Sequence, residues 1–136
     1  VEKSANEARM IDDIRGFPDG FATLVGERGI TLSGGQRQRT ALGRALLISA
    51  PIIVLDDALA SVDNKTAAAI LDSIKKETNK TILMISHQLS AAKACDRILV
   101  MEEGSIVQEG KHLELLKEGG LYKRLWERER ASEIIK

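Results

Sequence analysis

The stretch "IIVLDD", residues Ile52 to Asp57, decides the fold. Four apolar residues follow Pro51, which ends the preceding helix, and they close on two carboxylates. That pattern predicts a strand buried on both faces, as in sheets covered by helices. "TILMIS" (81–86) repeats it and runs into His87. Between the two, "NKTAAAILDSIKKET" (64–78) sets Ala67, Ile70, Leu71 and Ile74 on one helical face, with Asp63 placed to cap it. Strand, helix and strand in this order imply an α/β layer with a mostly parallel sheet. Ligands of such sheets bind beyond the carboxyl ends of the strands. Asp56, Asp57 and His87 all fall at such ends.

Upstream, "LSGGQRQR" (Leu32 to Arg39) places a serine and two glycines directly before a helix. Ser33, Gly34 and Gly35 offer bare backbone N–H groups and the positive end of a helix dipole to an anion. A serine N-cap on a glycine turn is an equally open reading of the same residues. From Gln36 to Ser49, Ala41, Leu42, Ala45, Leu46 and Ile48 form one apolar face. Nearer the N-terminus, Ala8, Ile11 and Ile14 predict a single weak helix over 4–15, closed by Gly16. "FPDGF" is a turn, and a glycine-bearing loop follows it.

Downstream, Ser90 is placed to cap a short helix reaching Cys95. "RILVME" (97–102) and "SIVQEG" (105–110) flank Glu103–Gly104, a hairpin signal. The tail from His112 to Arg130 reads as helix around a Gly119–Gly120 break. Met84 and Cys95 are expected in the core, His112 at the surface, and Tyr122 and Trp126 packing the last helix.

Composition narrows the classes. The chain has 136 residues, with 20 Lys+Arg against 20 Asp+Glu, and 43% of its residues are hydrophobic. The charge balance and an aromatic content of 3% speak against a nucleic-acid surface. One cysteine allows neither an internal disulfide nor a cysteine metal cluster, which suits a reducing compartment. No apolar run approaches the roughly 18 residues that span a bilayer. The first residue is a valine, which suggests a piece of something longer.

Two adjacent carboxylates ending a strand can hold Mg²⁺ through water and orient a hydrolytic water. Capping or a surface turn explains them as well. His87 is suited to donate to a phosphate oxygen. The combination points to phosphate chemistry more strongly than any member does.

Taken together, "LSGGQRQRTALGRALLISAPIIVLDDALASVD" and "ILMISHQLS" resemble the ATP-binding cassette of ABC transporters over nearly the whole chain. The resemblance identifies "LSGGQ" as the signature loop, "IIVLDD" as the Walker B strand, "SVD" as the D-loop and His87 as the switch histidine. "TLVGERG" (23–29) resembles the x-loop of exporters, and "GGLYKRLWE" resembles the exporter ending. No G-x-x-x-x-G-K-S/T motif occurs, and no Q-loop glutamine is recognisable. The fold it implies is α/β: an incomplete P-loop NTPase (RecA-like) parallel sheet with part of the ABC helical subdomain, lacking the P-loop strand. Residues 1–50 would be the partial helical subdomain, 51–110 the C-terminal part of the RecA-like core, and 111–136 the C-terminal helices. In the family the P-loop strand lies between the strand ending at His87 and "RILVME". Without it, the sheet would carry bare apolar side chains, and the chain alone would fold weakly.

The resemblance also implies roles. Asp57 and His87 would be catalytic, and Asp56 would hold Mg²⁺. Leu32, Ser33, Gly34, Gly35, Gln36 and Asp63 would contact ATP across a dimer of two cassettes. The signature loop thereby lids a nucleotide held by the partner cassette, with Ser33 and Gly35 on the γ-phosphate and Gln36 near the ribose. The x-loop Thr23–Gly29 would meet the coupling helices of a transmembrane domain, at the cytoplasmic face of the membrane. ATPase activity is expected of the full-length transporter and not of this stretch alone.

Four residues depart from the family pattern. Asp57 stands where glutamate is usual, so its carboxylate is withdrawn by about 1.5 Å. That resembles the degenerate subunit of heterodimeric exporters. Gly43 sits mid-helix, where alanine is preferred by about 1 kcal/mol. Leu24 and Gln88 replace the acidic x-loop residue of some exporters and the arginine common after the switch histidine. A non-catalytic half-cassette or interaction module is the alternative. A chromosome-maintenance ATPase lobe is disfavoured by the neutral charge, the missing heptads and the "GERG" loop.

Overall fold

The computed structural model describes residues 1–77 and 79–135. Thr78, the last residue of the helical stretch expected at 64–78, and Lys136 lie outside the described residues. The chain forms two compact units, Val1–Ser86 and a second beginning at His87.

The first unit opens with helices α1 (Glu2–Glu7) and α2 (Ile11–Gly16), where the sequence suggested one. Arg9 breaks them with φ of 55°. The Arg9 N–H donates to Asn6 and the Met10 N–H reaches back to Ala5, the pairing of a Schellman end. Arginine is an unusual occupant of that left-handed position, so composition gave no warning. A 3₁₀ turn (Gly20–Ala22) follows, then α3 (Gly34–Leu46), strand β1 (Ile52–Asp56), α4 (Asn64–Glu77) and β2 (Thr81–Ile85). Helix α3 stops at Leu46, before Ile48, whose N–H closes only a three-residue turn onto Ala45. Ile48 is therefore 65% exposed instead of extending the apolar face.

Strands β1 and β2 are parallel, with Val54 beside Leu83 and Asp56 beside Ile85. Ile53 and Leu55 of β1 are buried, as are Ala67, Ile70, Leu71 and Ile74 of α4. Burial on both faces, expected from the continuous apolar runs, is not what these strands show. Ile52 (58%), Val54 (58%), Leu83 (52%) and Ile85 (49%) are exposed on the face opposite Ile53 and Leu55. The side-chain period of two puts these four on one side of the pleat. One face of the sheet is thus bare and apolar.

The second unit holds α5 (Leu89–Ala92), the hairpin β3 (Ile98–Glu102) and β4 (Ser105–Gly110), α6 (His112–Glu118) and α7 (Gly120–Ile134). The hairpin has the two-residue turn expected, with φ of 48° at Glu103 and 78° at Gly104. Positive φ at both positions matches the right-handed twist of paired strands. A bulge between Val100 and Met101 leaves an extra residue on β4. Ile98, Val100, Leu115 and Tyr122 form the core, with Leu89, Ala92 and Cys95 packed on it. His112, expected at the surface, is buried: its Nδ1 lies 2.8 Å from Tyr122 Oη and its ring meets Trp126 edge-on at 4.5 Å. The aromatic partners ten and fourteen residues later give this imidazole an interior place that its polar type does not suggest.

Among the described residues no helix is long and apolar enough to cross a membrane.

Candidate functional site

Ser33 starts α3 through a reciprocal capping box. Its Oγ accepts from Gln36 N at 3.1 Å, and Gln36 Oε1 accepts from Ser33 N at 2.9 Å. The serine cap is thus present, and Ser33 remains exposed. Capping satisfies the third amide of the helix but leaves the first two, on Gly34 and Gly35, pointing beyond the helix end. These glycines face the loop after β1. A cleft of about 430 Å³ is lined by Ser33, Gly34, Gly35 and Arg39 on one side and Ser61, Val62, Asp63 and Thr66 on the other. A Cβ on Gly35 would come within 2.9 Å of the Ser61 carbonyl oxygen. Glycine is needed here for close approach of two backbones, a demand separate from any ligand.

Two polar residues unforeseen in the sequence lock this corner. Asp13 of α2 accepts from Gln36 Nε2 and from Arg39 Nη1, each at 2.8 Å. The same Arg39 nitrogen also donates to the Arg9 carbonyl oxygen, so the left-handed break between α1 and α2 feeds this network. Gln36, expected near a ribose, thus spends its side chain on Asp13 and Ser33. Gln38 bridges in the other direction. Its Nε2 donates to the Asp57 carbonyl at 3.3 Å and its Oε1 accepts from Ser61 N at 2.7 Å. Pairings across 23 or 26 positions leave no local sequence signal. Leu32 contributes its carbonyl, which accepts from Arg37 Nη1 at 2.7 Å.

Asp56 closes β1 and is exposed. Asp57 follows in the left-handed region, φ 44°, a conformation aspartate tolerates better than most residues. Its backbone is held on both sides: N–H to Ile85 O at 2.9 Å, and C=O from Ala60 N at 3.1 Å as well as from Gln38. Strained, pinned backbone at a strand end is common at functional sites. Asp63 caps α4, its Oδ1 accepting from Thr66 N at 2.9 Å. A hydrogen bond from the Thr66 side chain, and then the one from its amide, hold the carboxyl below the usual carboxylate range. The structure therefore brings Ser33, Gly34, Gly35 and Asp63 to one cleft, with Gln38 linking the helix behind them to Asp57.

The donor set fits an anion. Two glycine amides and the Ser33 hydroxyl are what a phosphate group asks of its surroundings, while Arg39 is engaged by Asp13. The exposed Asp56 carboxylate at the strand end is an oxygen ligand suited to Mg²⁺.

His87 opens the second unit and is exposed. Immediately after it, the amides of Leu89 and Ser90 donate to Glu129 Oε2 and Oε1 at 2.7 and 3.0 Å. Helix α5 therefore begins at Leu89 and is capped by a carboxylate forty residues away, not by Ser90 as the sequence suggested.

In the stretch expected to be an x-loop, Gly26 N donates to Ile30 O and Ile30 N donates to Leu24 O, closing a tight loop. A Cβ on Gly29 would overlap the Leu24 carbonyl. Leu24, at the closing end of this loop, is 77% exposed.

The profile of the family described as ABC transporter matches residues 2–60. The chain is 43% identical, over 92% of its length, to an "ATP-dependent lipid A-core flippase" of Photobacterium profundum, and covers 22% of that protein. It is 45% identical, over 99% of its length, to the "Multidrug resistance-like ATP-binding protein MdlA" of Buchnera aphidicola, covering 24% of it. A solved bacterial Atm1-family ABC exporter with ATP bound superposes with a TM-score of 0.84 at 38% identity, over 94% of this chain and 23% of that one. The chain thus spans less than a quarter of the length of these relatives.

Proposed function

Since the chain belongs to the ABC transporter family, we propose that it works as the C-terminal part of an exporter's ATP-binding cassette, in the degenerate subunit of a heterodimer. On this reading it sits at the cytoplasmic face of the membrane, paired with a second cassette and touching transmembrane coupling helices through Thr23–Gly29. The observation that carries it is the cleft where the Ser33–Gly35 corner meets Ser61–Thr66, with two glycine amides turned outward from the helix. Such a corner offers donors to phosphate oxygens while contributing no P-loop of its own. It therefore serves as a lid for a nucleotide that the partner cassette holds. The bare apolar face of β1 and β2 is the surface on which the remainder of the same cassette would pack.

Bound Mg-ATP supplies the phosphoryl group that passes to water, with the ion screening the oxygens as charge moves. Asp56 would hold the ion. Ser33, Gly34 and Gly35 would bind and orient phosphate oxygens of the partner's nucleotide, and His87 would donate a hydrogen bond to one on the nucleotide of this chain's own site. Asp57 is the residue to orient and polarise the water. Here the pinned backbone matters. Three hydrogen bonds fix the main chain of Asp57, so it cannot advance to offset a carboxylate about 1.5 Å short of glutamate's reach. Misplacement of that size costs up to roughly a hundredfold in rate, which supports a site that holds ATP more than it turns it over.

Replacement of Asp57 in the full transporter tests this. Asp57→Glu is expected to raise ATPase activity, and Asp57→Asn to leave most of it, since the partner's site carries turnover. An unchanged rate in Asp57→Glu together with complete loss in Asp57→Asn would contradict degeneracy.

A further inference from the structure

We propose that Glu129 is a positioning residue for His87: the last helix sets the switch histidine through a carboxylate clamp on the two amides that follow it. The inference rests on the reading of His87 as a γ-phosphate donor and assigns a role to a residue outside every motif of that site. Glu129 lies on α7, a helix whose other acidic and basic side chains face solvent. Glu129 alone among them is half-buried, with both oxygens engaged: Oε2 on Leu89 N at 2.7 Å and Oε1 on Ser90 N at 3.0 Å. A charged acceptor on two consecutive amides fixes direction as well as distance. Leu89 is also packed on the core of this unit, so one end of the segment is held by both its side chain and its backbone. Only Gln88 separates the clamped residue from His87, which leaves the imidazole few backbone torsions in which to wander. Tyr122, on the same helix, is buried in that core, with His112 Nδ1 2.8 Å from its hydroxyl, so α7 is an anchored support. The carboxylate transmits that anchoring to the histidine.

The readout is the preference of this chain's own site for ATP over ADP, which differ by the phosphate His87 would touch. In the full transporter, photolabelling of this chain by a radioactive azido-ATP is competed with ATP and, separately, with ADP. Glu129→Ala is expected to weaken competition by ATP about tenfold while changing that by ADP less than about twofold. Glu129→Gln keeps one acceptor but turns an NH2 toward the second amide, and is expected to fall between the parent and alanine. Glu129→Asp, with its acceptor drawn back, is expected to fall between as well, and both variants decide the matter if the alanine protein does not fold. His87→Ala should match Glu129→Ala, and the double variant should lose no more than either. An ATP preference intact in Glu129→Ala and Glu129→Asp but lost in His87→Ala overturns the clamp and leaves the role of His87 standing. Equal loss of ATP and ADP competition also overturns it. If His87→Ala keeps the preference, the underlying reading of His87 is what fails.

Discussion

A Cβ built on Gly35 would sit 2.9 Å from the carbonyl oxygen of Ser61. The neighbour is backbone, and the Ser61 amide is itself held by Gln38. Neither side can yield cheaply. Gly35→Ala in the full transporter is expected to lower stability by about 1–3 kcal/mol through overpacking. Gly34→Ala, whose nearest atoms are the Ser61 side chain at 3.4 Å, should cost clearly less. Melting temperatures compare the two, and Ser61→Gly should fail to rescue Gly35→Ala because the clash is with main chain. Equal melting of both alanine variants would show that α3 and the following loop are not locked.

Gly43 poses the opposite case. A Cβ there would meet the Ala8 Cβ and the Ser4 carbonyl at 3.6 Å, ordinary contact distance. The position is mid-helix and facing α1, so an added methyl fills space and removes unfolded-state freedom. Gly43→Ala is expected to stabilise the protein by roughly 0.5–1 kcal/mol, read as a rise in melting temperature. A fall would mean that α1 and α3 approach more closely than the structure gives.

The pH dependence of the second unit has a definite sign. Burial, with Lys93 adding to it, lowers the proton affinity of His112 below the ordinary imidazole value of 6.5. The unfolded chain then takes up its proton first as pH falls. This contribution to stability is constant above that value, declines below it, and levels off under the lower folded-state value. Melting of the full protein should drop as pH falls below about 6.5, and less so in His112→Phe. Identical acid slopes in the two proteins would remove His112 as the cause.

Expressed by itself, the chain presents Ile52, Val54, Leu83 and Ile85 to water on a two-stranded sheet. Two strands with one uncovered face are marginal in water. A broad melt and binding of a hydrophobic dye such as ANS are expected. A sharp, cooperative melt of the monomer without dye binding would count against the view that another segment covers this face.

How much of this was legible depends on whether the signal was local. Glu103–Gly104 announced its hairpin because positive φ at both turn positions narrows the choice of residues. Asp63 announced its cap, and the parallel pairing followed from two apolar runs joined by a helix. The one-sided exposure of those strands was not legible, because a continuous apolar run reports what a strand can bury and not what is there to cover it. The break at Arg9 was hidden by a residue atypical of its conformation. Asp13, Gln38 and Glu129 were hidden for another reason. Each acts across 19 to 40 positions, and a polar side chain on an exposed-looking helix carries no mark of the amide it will meet.

The measurement closest to the central claim is made on the full transporter carrying Ser33→Arg. Because the corner is taken to close over the partner's nucleotide, ATP hydrolysis should fall by on the order of a hundredfold. Labelling of this chain itself by azido-ATP should stay within about twofold of the parent, a change of under half a kcal/mol. Hydrolysis at the parental rate, or loss of labelling on this same chain, would contradict it.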